Sequence, residues 1–185
     1  MNKMTTLIAA FGISMGAPAQ SYDKLWQEAK AHVDNDLPKS AIEVVNKIQQ
    51  KAVAEGNDAQ LLRVMLTQRM LGAELSADSV VPWLQRMEAA LAAETKPAMQ
   101  ALWHVALARC YEGTNYGQVL VIDGNTLTHD ALQQRAKTHY EASLTNPDAL
   151  ADARVDNYLP LFTKHEGSAC YHNDLLHVVL NDYCE

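Results

Sequence analysis

Residues 21–57 read SYDKLWQEAKAHVDNDLPKSAIEVVNKIQQKAVAEGN and have the pattern of two helices joined by a short turn. Their apolar side chains recur every three or four positions, which is the spacing of one helix face rather than of a strand. These side chains are Leu25, Trp26, Ala29 and Val33 in the first helix and Ala41, Val45, Ile48 and Ala52 in the second. Pro38 suits the first helical turn, and Gly56 ends the pair. We expect Trp26 to be a buried anchor between these two helices.

The same spacing continues along the chain and predicts six further helices. Asp58 can cap the first of them, and the others begin at Ser76 or Asp78, near Pro97, before Leu132, at Asn146-Pro147 and at Asn173 or Asp174. The last helix is expected to bury Leu176, Val179, Leu180 and Tyr183. Short connections favour antiparallel hairpins, and the first, third and fifth helices start roughly 36–39 residues apart, close to the tetratricopeptide period. The sequence therefore predicts an all-α fold, a divergent tetratricopeptide-like array of about eight helices in stacked antiparallel hairpins.

The first twenty residues, MNKMTTLIAAFGISMGAPAQ, have the features of a cleaved export signal. Lys3 precedes an apolar run, and Ala17-Pro18-Ala19 is a small-x-small cleavage pattern. The apolar run is well below the roughly 20 residues that span a bilayer, so we expect no membrane span. The sequence predicts a signal peptide over 1–19, a single α-helical domain over 20–185, and export to the periplasm or the extracellular space.

The charge of the chain argues against a nucleic-acid partner. Its formal net charge is −7, and its acidic residues are scattered rather than grouped. Affinity for nucleic acid depends on Lys and Arg side chains that neutralise phosphates. Scattered acids are typical of solvated helix faces.

Three cysteines, Cys110, Cys170 and Cys184, are an odd number for an exported protein. A bridge between Cys170 and Cys184 would close a short loop and leave Cys110 as a small apolar residue on the fifth helix. That bridge requires Cα atoms within about 7 Å. The alternative is three unpaired thiols.

Residues 113–127, GTNYGQVLVIDGNTL, interrupt the helical pattern with three glycines and a β-branched run. A short strand or hairpin is expected there, near 119–122. Loops held by a rigid scaffold often carry function, so Tyr116, Val119 and Val121 are candidate interaction residues. Alternatively, these residues fold back over the fifth and sixth helices as part of the core.

The candidate chemistry in this sequence is thin. His165, His172 and His177 lie near Cys170, but no HExxH pattern accompanies them. Ser168 has no flanking glycines of the GxSxG kind, no Cys is followed by a Cys two residues on, and Gly113 and Gly117 are not part of a GxGxxG or Walker pattern. We therefore assign no catalytic, metal or cofactor residue and expect that the protein is not an enzyme. Trp26, Trp83 and Trp103 are expected to be core packers.

Several segments resemble one protein family. They are YDKLW at 22–26, DLPKSAIEVVNKI at 36–48, KAVAEGN at 51–57, MQALWHVALARCYE at 99–112, HYEASLTNPDAL at 139–150 and HEGSACYHNDLLHVVL at 165–180. Together they resemble the N-terminal helical leader of the alpha-2-macroglobulin-like proteins of Bacteroidetes-type bacteria. The similarity touches most of the chain after the signal. Its most distinctive parts are the opening motif and YHNDLLHVVL.

The resemblance implies a non-catalytic helical scaffold or protein-interaction domain whose partner is the β-sandwich body of an alpha-2-macroglobulin-like protein. Protease trapping does not carry over, because the sequence has neither the CGEQ thioester motif nor the alternating pattern of β-sandwich domains. Two origins stay open, a natural short paralogue or a truncated product ending at Glu185. The alternative function is a small enzyme or ligand-binding protein with a site near the 113–127 loop and the late histidines.

Overall fold

The computed structural model describes residues 21–113, 120–122, 124–162 and 173–184. Over these ranges the chain is all-α, with eight α-helices, two short 3₁₀ helices and one small hairpin, which confirms the fold class predicted from the sequence. The α-helices are α1 Tyr22–Asp34, α2 Pro38–Glu55, α3 Asp58–Leu75, α4 Val80–Ala93, α5 Pro97–Glu112, α6 His129–Ser143, α7 Pro147–Asp152 and α8 Leu175–Cys184. The 3₁₀ helices are Ala77–Ser79 and Val155–Leu161, and the strands are β1 Leu120–Ile122 and β2 Asn125–Leu127.

Helices that follow one another in the chain pack against each other. Helix α1 packs on α2 and α2 on α3 across links of two or three residues, whereas α5 packs on α6 although residues 113–128, which include β1 and β2, separate them in the chain. Helices α2 and α3 have 18 residues each, so each is about 27 Å long, and the two-residue link between them can join only neighbouring ends. Gly56 makes this turn in the left-handed region, at φ 62°. The side chain of Asn57 then caps α3 by accepting from Gln60 N–H at 3.1 Å.

The buried apolar side chains form two clusters that share helix α3. The first joins α1, α2 and α3 through Leu25, Ala29, Ala41, Val44, Val45, Ile48, Val64 and Leu71. The second begins at Leu62 of α3 and continues through α4, α5, α6, α7, α8 and β1. Since α3 has buried residues on both sides, it joins the first hairpin to the rest of the helices.

The hairpin of β1 and β2 is part of the second cluster. The strands pair antiparallel, with Leu120 opposite Leu127, and β1 contacts α4 while β2 contacts α6. Leu120 and Ile122 are buried, whereas Val121 between them is 48% exposed. This alternation follows from the period of two along a strand. The expected short hairpin is thus present, and two of its side chains fold back onto the helices.

Two helix boundaries differ from those expected from the sequence, and one further element is present. Asn57 rather than Asp58 caps α3, because its side chain reaches the Gln60 N–H. The 3₁₀ turn Ala77–Ser79 delays the start of α4 to Val80. The 3₁₀ helix Val155–Leu161 follows α7 and packs on α3, although the sequence analysis assigned no element there.

The inward face of α8 is also shifted from the expected one. Leu175 and Val179 are fully buried, whereas Leu180 and Tyr183 are 39% and 42% exposed. The backbone N–H of Leu175 donates to the carbonyl of Ala153 at 2.9 Å. This bond ties the start of α8 to the end of α7.

Candidate functional site

Helices α2, α3 and α4 line a cleft of about 580 Å³, here called the α2–α4 cleft. Its lining residues are Ile42, Asn46, Gln49, Met65, Gln68, Gly72, Trp83 and Arg86. On each helix they are three or four positions apart, so each helix contributes one continuous stripe. The volume is in the range of ligand-binding sites in proteins.

A buried glutamine lies in the wall of the cleft. Gln68 is 5% exposed, and its Nε2 donates to Asn46 Oδ1 at 2.8 Å and to Gln49 Oε1 at 3.0 Å. Its Oε1 is buried and has no hydrogen-bond partner in the part of the chain that the structure describes. Both amide donors of Gln68 are therefore used, while its carbonyl acceptor is not.

Flipping the Gln68 amide does not supply the missing hydrogen bond. With the oxygen and nitrogen of Gln68 exchanged, and those of Asn46 and Gln49 exchanged with them, the buried end would be an N–H₂ group without an acceptor. An unsatisfied buried polar group costs about 1–3 kcal/mol. One end of the Gln68 amide therefore carries an unused hydrogen-bonding group in the wall of the cleft.

Trp83 forms the opposite wall, and a glycine allows it to lie against α3. A Cβ atom at Gly72 would be 2.8 Å from Trp83 Nε1, closer than packing permits. Arg86 lies over the same indole, with Cζ 4.5 Å from the ring centroid, a cation–π arrangement. Over the described ranges, no carboxylate is within ion-pair distance of Arg86. Trp83 was expected to be a core packer, but it is only half-buried.

Trp26 belongs to a similar Arg–Trp pair, in which the indole N–H has a hydrogen-bond acceptor. Its Nε1 donates to Gln60 Oε1 at 2.8 Å, and the Cζ atom of Arg63 lies 4.0 Å from the ring centroid. Gln60 and Arg63 both belong to α3. Trp26 is half-buried and reaches α3, which corrects the expected anchor buried between the first two helices.

A second polar cluster connects α4, α5 and α6. Glu88 Oε1 lies 3.1 Å from His139 Nε2 and accepts from Tyr111 OH at 2.9 Å. His139 Nδ1 lies 2.9 Å from His104 Nδ1. Arg135 donates to Tyr111 OH at 3.5 Å. One imidazole must donate and the other accept across the Nδ1–Nδ1 contact, so the two histidines cannot both be cationic while it persists.

The electrostatics of this cluster follow from its contacts. The hydrogen bond from His139 holds the pKa of Glu88 below its ordinary value. Burial lowers the pKa of His104, and the neighbouring His139 charge lowers it further. Burial and then the Glu88 carboxylate raise the pKa of Tyr111 to about 12. The chain from Glu88 through His139 to His104 could pass a proton, but none of these side chains lines the α2–α4 cleft.

Only one of the interaction residues expected from the sequence lies within the described residues. Tyr116 and Val119 lie outside them. Val121 is exposed between two buried neighbours, so its surface role stays a prediction. His165, His172 and Cys170 also lie outside the described residues, so the Cys170–Cys184 bridge is untested. His177 Nδ1 contacts Asp174 at 2.8 Å, and Cys110 is buried, as expected.

Sequence reasoning missed the α2–α4 cleft, although a signal was present. Gln68 interrupts an apolar stripe on α3, three residues after Met65 and three before the buried Leu71. A polar side chain on a core-facing stripe needs a hydrogen-bond partner. Gly72 follows four residues later and faces Trp83. Reading these positions together requires knowing that α4 packs beside α3.

The described residues contain neither a metal-binding cluster nor a membrane-spanning helix. No group of three or more His, Cys, Asp or Glu side chains over 21–113, 120–122, 124–162 and 173–184 is placed to hold a metal ion. Over the same ranges no helix has the length and apolarity needed to cross a membrane.

Comparisons with known proteins gave no further guide to this site. The chain matches no protein-family model, no curated protein and no solved structure.

Proposed function

We propose that this chain is an exported, non-catalytic helical scaffold that binds a polypeptide partner through the α2–α4 cleft. The observation that carries the proposal is the cleft of about 580 Å³, where the exposed Arg86 lies over the indole of Trp83. Arginine and tryptophan are enriched among the residues that supply most of the binding energy at protein interfaces. The half-buried Trp83 adds an aromatic wall of the kind that dominates protein interfaces.

The motifs shared with the alpha-2-macroglobulin-like leader suggest the identity of the partner. In that family the leader precedes a β-sandwich body, and we propose that such a body is the partner. Export follows from the signal-like residues 1–19 and would place both proteins in the periplasm or outside the cell. The exposed Val121 is proposed as a second contact, together with Tyr116 and Val119.

The alternative is a small enzyme or ligand-binding protein. Glu88, His139 and His104 are the arrangement closest to an acid–base relay in the part of the chain that the structure describes. A relay needs a substrate within hydrogen-bond reach, and none of its side chains lines the α2–α4 cleft. We therefore favour binding over catalysis.

Blocking the cleft tests the proposal. A displayed library of random short peptides is selected on the purified protein, and the enriched peptides are measured against Asn46→Trp and Lys47→Trp. Asn46 is exposed and lines the cleft, whereas the adjacent Lys47 is exposed and does not. We expect Asn46→Trp to abolish binding and Lys47→Trp to preserve it, with both variants folded by circular dichroism. Enrichment of no peptide, or equal binding by the two variants, would refute the proposal.

A further inference from the structure

We propose that Glu88, His139 and His104 form a pH-sensitive switch, which holds one added proton with its hydrogen bonds intact and separates the two imidazoles when a second proton binds. The inference does not rest on the proposed function, because none of these side chains lines the α2–α4 cleft. Three features lead to it: the carboxylate at one end of the row, the close contact between the two Nδ1 atoms, and the different way in which each imidazole is held.

The carboxylate of Glu88 decides where the protons of the two neutral histidines lie. An ionised carboxylate only accepts hydrogen bonds, so His139 Nε2, 3.1 Å from Glu88 Oε1, carries a proton. The Nδ1 of a neutral His139 then has the lone pair, and His104 Nδ1 must donate to it across 2.9 Å. The lone pair of His104 is therefore on Nε2, which has no hydrogen-bond partner in the described part of the chain.

One added proton can bind without breaking a hydrogen bond. It binds the lone pair of His104 Nε2, and the proton of His104 Nδ1 then passes to His139 Nδ1 along the existing contact. The N–H bond at His104 Nδ1 breaks, a new N–H bond forms at His139 Nδ1, and the positive charge moves to the imidazole beside Glu88. His104 is again neutral and now accepts from His139. The carboxylate at 3.1 Å stabilises the charge in this position.

A second proton cannot bind while the two imidazoles stay in contact. A cationic histidine has a proton on both ring nitrogens, so two cationic rings would point N–H groups at each other across 2.9 Å. Burial and then the charge of His139 lower the pKa of His104, whereas Glu88 acts in the opposite direction. A conformation in which His104 has turned away binds the second proton more readily, so acid raises its population.

The two imidazoles are held by different numbers of contacts, which indicates which of them moves. His139 is held by Glu88 and stacks on Tyr111, with ring centroids 5.6 Å apart. Tyr111 OH donates to Glu88 at 2.9 Å and accepts from Arg135 at 3.5 Å, so both groups face the same end of the cluster. His104 is only partly buried, and the charged groups that act on it are His139 of α6 and Glu88 of α4. We therefore expect the ring of His104 to turn toward solvent while His139 stays paired with Glu88.

Nitrogen NMR of the protein labelled with ¹⁵N-histidine tests the switch, because the ring nitrogens report the tautomer and the charge of each histidine. At neutral pH we expect protons on His139 Nε2 and His104 Nδ1. As the pH falls, charge should appear first on His139 while His104 changes to its Nε2–H tautomer, and the NOE between the two rings should persist. At lower pH His104 should become charged and this NOE should be lost, with the helical circular dichroism unchanged.

Two variants give matched comparisons. Glu88→Gln keeps an acceptor for His139 but removes the negative charge, so the first protonation of the pair should move to lower pH. His32→Gln changes a histidine of α1, which packs on α2 rather than on the helices of the cluster, and should leave both protonation steps unchanged.

Several results would overturn the inference. They are a proton on His139 Nδ1 at neutral pH, charge on His104 before His139, charging of both rings with the NOE intact, and an unchanged first step in Glu88→Gln. Loss of the helical signal at the second step would also overturn it, because acid would then unfold the chain rather than operate a local switch.

Discussion

Gln60 and Gln68 lie on the same helix and are equally buried, yet their carbonyl oxygens have different surroundings. Gln60 Oε1 accepts from the indole of Trp26, whereas Gln68 Oε1 accepts from no described group. The first bond stabilises the fold, because its loss would leave a polar group unpaired. The unpaired carbonyl of Gln68 lowers the stability of the free protein. Two equally buried glutamines on one helix therefore differ in whether the carbonyl oxygen has a hydrogen-bond partner.

Replacing each glutamine with methionine should separate these roles, since the side chains have similar volume. We expect Gln60→Met to lower the free energy of unfolding by about 1–2 kcal/mol, because Trp26 Nε1 loses its acceptor. Gln68→Met should change it by less than about 0.5 kcal/mol or raise it, because the replacement removes an unsatisfied carbonyl. Urea denaturation measures both. A loss at Gln68 as large as that at Gln60 would contradict this assignment.

The apolar stripe of α2 could be predicted from the sequence, but the partner of each polar residue could not. Val45, Ile48 and Ala52 are fully buried, as the spacing predicts. On α8 the burial of Val179 was predicted, whereas Leu180 and Tyr183 are exposed and Leu175 is buried in their place. Trp26 was placed between α1 and α2, but its indole contacts Gln60 on α3, 34 residues away. Local periodicity reports which face is apolar and says nothing about which helix covers it.

At the scale of elements, the hairpin of β1 and β2 provides a direct test of alternating burial. Ile122 is 5% exposed within the second cluster, whereas Val121 is 48% exposed. We expect Ile122→Ser to lower the free energy of unfolding by about 2–4 kcal/mol and Val121→Ser to change it by less than about 0.5 kcal/mol. Thermal or urea unfolding gives both values. Equal effects at the two positions would mean that the hairpin does not pack on α4 and α6 as described.

The polar cluster joining α4, α5 and α6 makes stability depend on pH. Burial lowers the pKa of His104 below 6.5, so the unfolded chain binds more protons than the folded one just below pH 6.5. The contribution of His104 to the free energy of unfolding is therefore complete above pH 6.5. It is lost as the pH falls toward the lowered pKa of His104. The hydrogen bond from His139 lowers the pKa of Glu88 below 4.5, so the contribution of Glu88 is complete above pH 4.5 and is lost below it.

Urea unfolding across the acid range measures this dependence. The groups that face His104 and His139 are Glu88, Tyr111 and Arg135, so the response belongs to the cluster as a whole. The free energy of unfolding of wild type should decline as the pH falls. We expect this decline to be smaller just below pH 6.5 in His104→Gln and smaller below pH 4.5 in Glu88→Gln. A His104→Gln curve that stays parallel to wild type just below pH 6.5 would show that His104 does not titrate differently on folding.

At the scale of the whole molecule, the α2–α4 cleft lies where the two apolar clusters meet. Helices α2 and α3 belong to the first cluster, α3 and α4 to the second, and all three line the cleft. A segment bound there would contact both groups of helices at once and stabilise the molecule by mass action. The cleft could not be predicted from the sequence, because it depends on the packing of α4 beside α3. The all-α array that creates it could be predicted.

The most direct test of the α2–α4 cleft as a binding site is side-chain NMR of the ¹⁵N-labelled protein titrated with a peptide enriched from the displayed library. Binding should shift the amide signals of Gln68, Asn46 and Gln49 and the indole signal of Trp83, all of which line the cleft. The signals of Gln60 and the Trp26 indole should stay unchanged, because these groups already bond to each other. Shifts at Gln60 and Trp26, with Gln68 unaffected, would contradict the account.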